Sequence, residues 1–247
     1  MPNDYCNLRD EALNELKSYM DTLDPSKGKK LAFWIKDYAN FLRKEQSFCP
    51  NKLIKYKRGS IVKVHLGYRI GSEEGGLHYA IVLDKNNSIY SPTVTIIPLT
   101  SVKPGIDLTK LHFSNVPIGN EVYTLLMSNF NAEIRSARQH LYEIKELRNS
   151  LSTQSDLDLL SQKIDETDKQ ITYCEKMRKE ADRMKQGSIA LVGQITTISK
   201  IRIYDPKYNK DALSKVRVSS DTLDVLDEKI KELFGYSVPE GEKTEDF

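Results

Sequence analysis

Four histidines, three cysteines and a glycine-rich run hold most of the reactive chemistry in this 247-residue chain. The cysteines, Cys6, Cys49 and Cys174, are odd in number and far apart, which suits a reducing compartment and matches no metal site. His65, His78, His112 and His140 show no metal-ligand spacing either. There is no GxSxG, Walker loop, HExxH or CxxC motif. His140 falls mid-helix among charges and reads as a surface group, while His65 and His112 lie in or beside strands and read as structural. His78 differs. It directly follows the run YRIGSEEGGL (68–77) and opens a strand, where a loop rim can present a reactive group. An imidazole there could accept or give a proton near neutral pH.

Charge is distributed unevenly beneath a net of +2. Residues 49–72 contain no acid, but carry Lys52, Lys55, Lys57, Arg58, Lys63 and Arg69. A second basic stretch, 200–217, sets Lys200, Arg202, Lys207, Lys210, Lys215 and Arg217 against Asp205 and Asp211. Such clusters suit a polyanion, and a solvated surface is the plainer reading of either one alone. With 39% apolar and 29% charged residues, the composition excludes a disordered chain, a collagen-like repeat and a disulfide scaffold. No apolar run approaches the roughly 18 residues of a membrane span, and MPNDYCNLRDE has no secretory pattern. A soluble cytoplasmic protein is expected.

Four segments must position these groups. Residues 1–50 read as two helices: Leu8, Ala12, Leu13, Leu16, Met20 and Leu23 recur at helical spacing, DPSKG (24–28) breaks the run, and Leu31, Trp34, Ile35, Tyr38, Phe41 and Leu42 form a second stripe. Because its aromatics share one stripe, they read as a packing face rather than a base-stacking platform. Residues 51–118 switch to strands at 61–66, 79–83 and 93–99, suggesting a small, strongly bent antiparallel sheet or barrel. Residues 119–186 carry two heptad-like stripes, 130–144 and 157–174, as an antiparallel helical hairpin requires. The stripes would bury each other, making the hairpin an appended arm, with Cys174 inert on its apolar face. Strands return at 188–192 and 194–204. A C-terminal helix follows, with Ser220 as N-cap and Gly235 beyond its end, and then an acidic tail, 236–247, expected to be disordered. The hairpin thus interrupts one β-rich domain made of 51–118 and 187–235.

The run KRGSIVKVHLGYRIGSEEGGLHYAIVLDKNN, then YSPTVTIIPLTS, resembles the MazF/PemK family of toxin endoribonucleases. GSIALVGQITTISKIRI resembles that family's returning strand. The likeness covers 51–118 and 187–235, but neither the N-terminal helices nor the hairpin. It implies an α+β fold: a small SH3-like β-barrel with a C-terminal helix, interrupted here by the long antiparallel hairpin and preceded by two helices. It also implies a homodimer that cleaves single-stranded RNA without metal or cofactor. The ribose 2′-hydroxyl attacks the adjacent phosphate, leaving a 2′,3′-cyclic phosphate and a 5′-hydroxyl. An antitoxin protein is the implied partner, with DNA reached through the antitoxin complex and no membrane involved. Carried onto this sequence, the catalytic set is His78, Thr100, Ser101 and Glu73, and Lys57 and Arg58 match the family's basic entry. Lys63, Arg69, Lys200 and Arg202 of the two basic stretches are the further candidates for RNA contact, and Gly71, Gly75 and Gly76 read as loop hinges. His78 stands where the family has an arginine. Histidine is competent for this chemistry, and the alternative is a weak or inactive module that binds RNA or protein.

Overall fold

The computed structural model describes residues 2–185 and 187–235; the acidic tail expected at 236–247 lies outside the described residues. The chain divides into two compact units. The first runs to Phe48 and takes in His65–Leu77; the second holds Cys49–Val64 and the chain from His78 onward. The glycine-rich loop therefore groups with the N-terminal helices, and the hairpin groups with the sheet.

In the first unit, α1 (Pro2–Asp21) and α2 (Pro25–Glu45) are separated by only three residues. Asp24 caps α2 by accepting from the Ser26 and Lys27 amides, and Pro25 occupies the first turn, where its missing N–H costs nothing. Gly28, expected in the break, lies inside the helix. Leu8 and Leu13 of the expected α1 stripe are exposed, while Leu31 of α2 is buried.

The strands are β1 (Ile61–His65), β2 (Leu77–Val82), β3 (Thr93–Ser101), β4 (Asn115–Gly119), β5 (Ser188–Leu191), β6 (Thr196–Ser199) and β7 (Ile203–Asp205); all lie in the second unit except that His65 and Leu77, which end β1 and begin β2, are grouped with the first. They form one sheet in the order β4-β5-β3-β2-β1-β7, with β6 also on β3. The long strand β3 organises it. One edge pairs with β2, while the opposite edge takes β6 along Thr93–Ile96 and β5 along Leu99–Ser101. The single strand expected at 194–204 is two, because Lys200–Arg202 forms a turn of 3₁₀ helix between β6 and β7.

The hairpin comprises α3 (Glu121–Asn149) and α4 (Gln154–Arg183), the latter opened by a capping box between Thr153 and Asp156. It leaves and re-enters at adjacent points, since Gly119 of β4 pairs with Ser188 of β5. Its base is not a free arm. Val122 and Leu126 of α3 and Tyr173, Met177 and Ala181 of α4 are buried in the same apolar core as Ile61, Ile81, Ile97 and Leu99 of the sheet. Toward the tip the seam opens: Leu141, Leu157 and Ile164 of the expected stripes are exposed. Cys174 is buried, and burial pushes its thiol pKa up, away from the reactive thiolate. The last helix, α5 (Ser220–Phe234), is capped by Ser219, one residue before the expected cap, and places Leu226 in the core.

Candidate functional site

β2 and β3 run antiparallel in the register Tyr79↔Leu99, Ala80↔Pro98 and Ile81↔Ile97. One step outward, this register sets His78 opposite Thr100, and opposed residues share a face of the sheet. Both are half-buried. Nδ1 of His78 lies 3.1 Å from the Leu99 carbonyl oxygen. A carbonyl only accepts, so Nδ1 carries the proton, and in the neutral ring the lone pair is on Nε2. The pair thus offers a proton acceptor beside a hydroxyl donor. Ser101, next along β3, is half-buried opposite Ser188.

Glu73, Arg69 and the loop glycines belong to the first unit rather than to the unit of His78 and Thr100. The loop is closed by backbone bonds: Leu66 N–H donates to Gly76 O and Gly76 N–H to Gly67 O, both at 2.7 Å. A Cβ on Gly75 would lie 2.9 Å from Gly67 O, and Gly76 adopts φ +88°, so both positions require glycine for a tight closure. Gly71 also has positive φ. Arg69 Nε donates to Leu66 O at 2.8 Å, and its guanidinium pairs with Glu73 at 3.3 Å. His65 is structural, as expected. Its Nδ1 accepts from Gly67 N–H at 3.0 Å, its Nε2 faces Asp37 at 3.7 Å, and its ring stacks on Trp34 at 4.8 Å.

Three of the basic residues assigned to RNA are spent inside the fold. Arg58 donates to Leu83 O and pairs with Asp227 of α5. Lys63 pairs with Glu180 of α4, which also accepts from Tyr79 Oη at 2.6 Å. Burial, and then the bond to Glu180, push the Tyr79 hydroxyl pKa upward. Lys200 is 1% exposed and donates from Nζ to Ser88 O at 2.9 Å. Burial lowers its pKa, and it is a core residue rather than a phosphate contact. Arg202 is half-buried.

Lys57 is differently placed. With Lys55, Lys215 and Arg217 it lines a groove of about 400 Å³ whose lining includes no carboxylate. Residues of both basic stretches meet there. Lys215 and Arg217 are themselves held, by Glu133 at 2.7 Å and by Arg58 O at 2.6 Å. Lys55, Lys215 and Arg217 were legible as basic residues, but their convergence required the fold. Asp205, opposite Lys63 in the β1–β7 register, accepts from Leu213 N–H at 2.8 Å. Its pKa is pushed up to about 6, chiefly by burial and further by Asp211 and Glu180.

Residues 57–136 match the family model of the PemK-like, MazF-like toxins of type II toxin–antitoxin systems. The matched stretch begins at Lys57, contains His78 and Thr100, and ends inside α3. No curated protein matches the chain.

Proposed function

We propose that this chain, which carries a PemK-like, MazF-like toxin domain, is a metal-independent endoribonuclease toxin that cleaves single-stranded RNA. The observation that carries the reading is the anchored imidazole of His78, opposite Thr100. Nε2 takes the proton of the attacking 2′-hydroxyl, or in the protonated ring gives one to the leaving 5′-oxygen. The Thr100 hydroxyl, with Ser101 next to it, donates to the charge that develops on the phosphorane. Lys55 and Lys57 hold backbone phosphates in the basic groove. Glu73 keeps Arg69 oriented in the loop. In this reading the sheet corresponds to the small SH3-like barrel of that family, and the protein acts as a homodimer restrained by an antitoxin protein through which it reaches DNA.

The test is incubation of pure protein with single-stranded RNA in EDTA, followed by analysis of the ends. Cyclic-phosphate and 5′-hydroxyl ends are expected. Binding without cleavage would replace the enzyme with a binding module that has kept the basic groove and lost the family's arginine.

A further inference from the structure

We propose that the cavity between α2 and the loop of the first unit receives one unstacked nucleobase of the RNA. The inference rests on the RNA reading above and extends it to residues that precede the matched family segment. Its volume is about 360 Å³, and Lys30, Phe33, Trp34, Tyr68, Arg69 and Glu73 contribute to its lining. That volume falls in the range of about 300–1,000 Å³ found for small-molecule sites.

The lining has the chemistry of base capture. Three aromatic rings surround one concavity, and two of them, Phe33 and Tyr68, are exposed, at 56% and 37%. Exposed aromatics that converge on a cavity offer π-faces to any base, and basic groups beside them suit the attached phosphate. Lys30 and Arg69 supply that charge, and the Glu73 carboxylate can accept from an exocyclic amino group. Of these rings only Trp34 belongs to the stripe expected to pack, and it does pack: its ring lies 5.6 Å from that of Tyr38 and 6.3 Å from that of Phe41, and it stacks on His65 at 4.8 Å. That stack steadies the platform, because His65 is in turn held by Gly67 N–H and Asp37. The tight closure at Gly75 and Gly76 likewise fixes the loop wall. A preformed cup loses little freedom on binding. Helix α2 therefore takes part in substrate recognition, and the base it helps to hold contributes to cleavage-site preference.

Trp34 is the sole tryptophan, so its fluorescence reports directly on this cavity. The probe is a mixed-sequence 2′-O-methyl RNA strand, which cannot be cleaved from its blocked 2′-oxygen, carrying a fluorescein label for anisotropy. Saturable quenching of Trp34 that tracks the anisotropy is expected with the single strand and not with the same sequence as a duplex, whose bases are stacked away. Trp34→Ala should weaken binding about 10-fold, with Trp34→Phe recovering most of it. RNA binding by anisotropy with unchanged Trp34 emission would overturn the inference and leave the RNA reading standing. So would equal quenching by duplex, or quenching by a peptide but not by RNA. Absence of any RNA binding or cleavage would overturn both.

Discussion

His78 donates from Nδ1 to the carbonyl oxygen of Leu99 across the β2–β3 pair, 3.1 Å away. That bond selects the tautomer, and with it the nitrogen that can accept a proton. His78→Ala should lower single-turnover RNA cleavage by about 10²-fold or more with the fold intact. His78→Arg installs the arginine that the resemblance implies at this position, yet it should also be impaired, since arginine does not readily give up its proton. Full activity in His78→Arg would mean that the position supplies only charge. Thr100→Val should cost about 10²-fold in rate, whereas Thr100→Ser, which keeps the hydroxyl, should retain most of it.

Salt dependence separates basic residues that meet RNA from those that hold the fold. Lys55→Ala and Lys57→Ala together should flatten the log–log salt slope of single-strand binding by about 1.4, at roughly 0.7 per phosphate contact. Lys200→Ala should leave that slope unchanged and lower the melting temperature, because it empties a buried site bonded to Ser88. Binding titrations at several salt concentrations, with thermal melts alongside, check both.

Asp205 makes stability depend on pH in a definite direction. Its folded pKa of about 6 lies above its ordinary value of 3.8, so between these values the folded chain holds the proton more tightly than the unfolded one. Its contribution therefore falls as pH rises from about 4 to about 6, by up to about 3 kcal/mol at roughly 1.4 kcal/mol per unit. Asp205→Asn keeps an oxygen for the Leu213 amide and should remove this component. Denaturant unfolding of both proteins across that range would show the curves diverge as pH rises, with the variant the more stable at neutral pH.

The hairpin should tolerate trimming at its tip but not removal. Replacing residues 141–163 with a short Gly/Ser turn takes away the partly open seam and should leave cooperative unfolding in place. Replacing 121–185 deletes Leu126 and Met177 from the core, together with buried Glu180, the partner of half-buried Lys63. Loss of an ion-pair partner alone costs about 3–5 kcal/mol, so this deletion should abolish the cooperative transition. Calorimetry on the two variants distinguishes a core element from an appendage.

Local pattern was enough to determine the helices and most strands of this chain. The stripe from Leu31 to Leu42, the helix start read at Ser220 (one residue late) and the β-branched run from Thr93 each declare themselves within a few residues, because helical and extended periodicities are short-range. His78 was marked by its place after the glycine-rich run, whereas Thr100 was singled out only by the resemblance to the MazF/PemK family, and the register of β2 on β3 sets the two opposite each other. β4 was not, since Asn-Val-Pro-Ile-Gly has only two buried positions and a proline, and becomes a strand by pairing with β5 from beyond the hairpin. Only tertiary structure decided what the charges do. Lys63 and Lys57 look alike in the basic stretch, yet Lys63 meets Glu180, far along the chain, while Lys57 joins Lys215 and Arg217 in an open groove. The same holds for Trp34, which lines a cavity together with a loop some 30 residues onward. The work a side chain performs is set by desolvation and by the partners the fold brings to it, and neither quantity is a property of its neighbours in sequence.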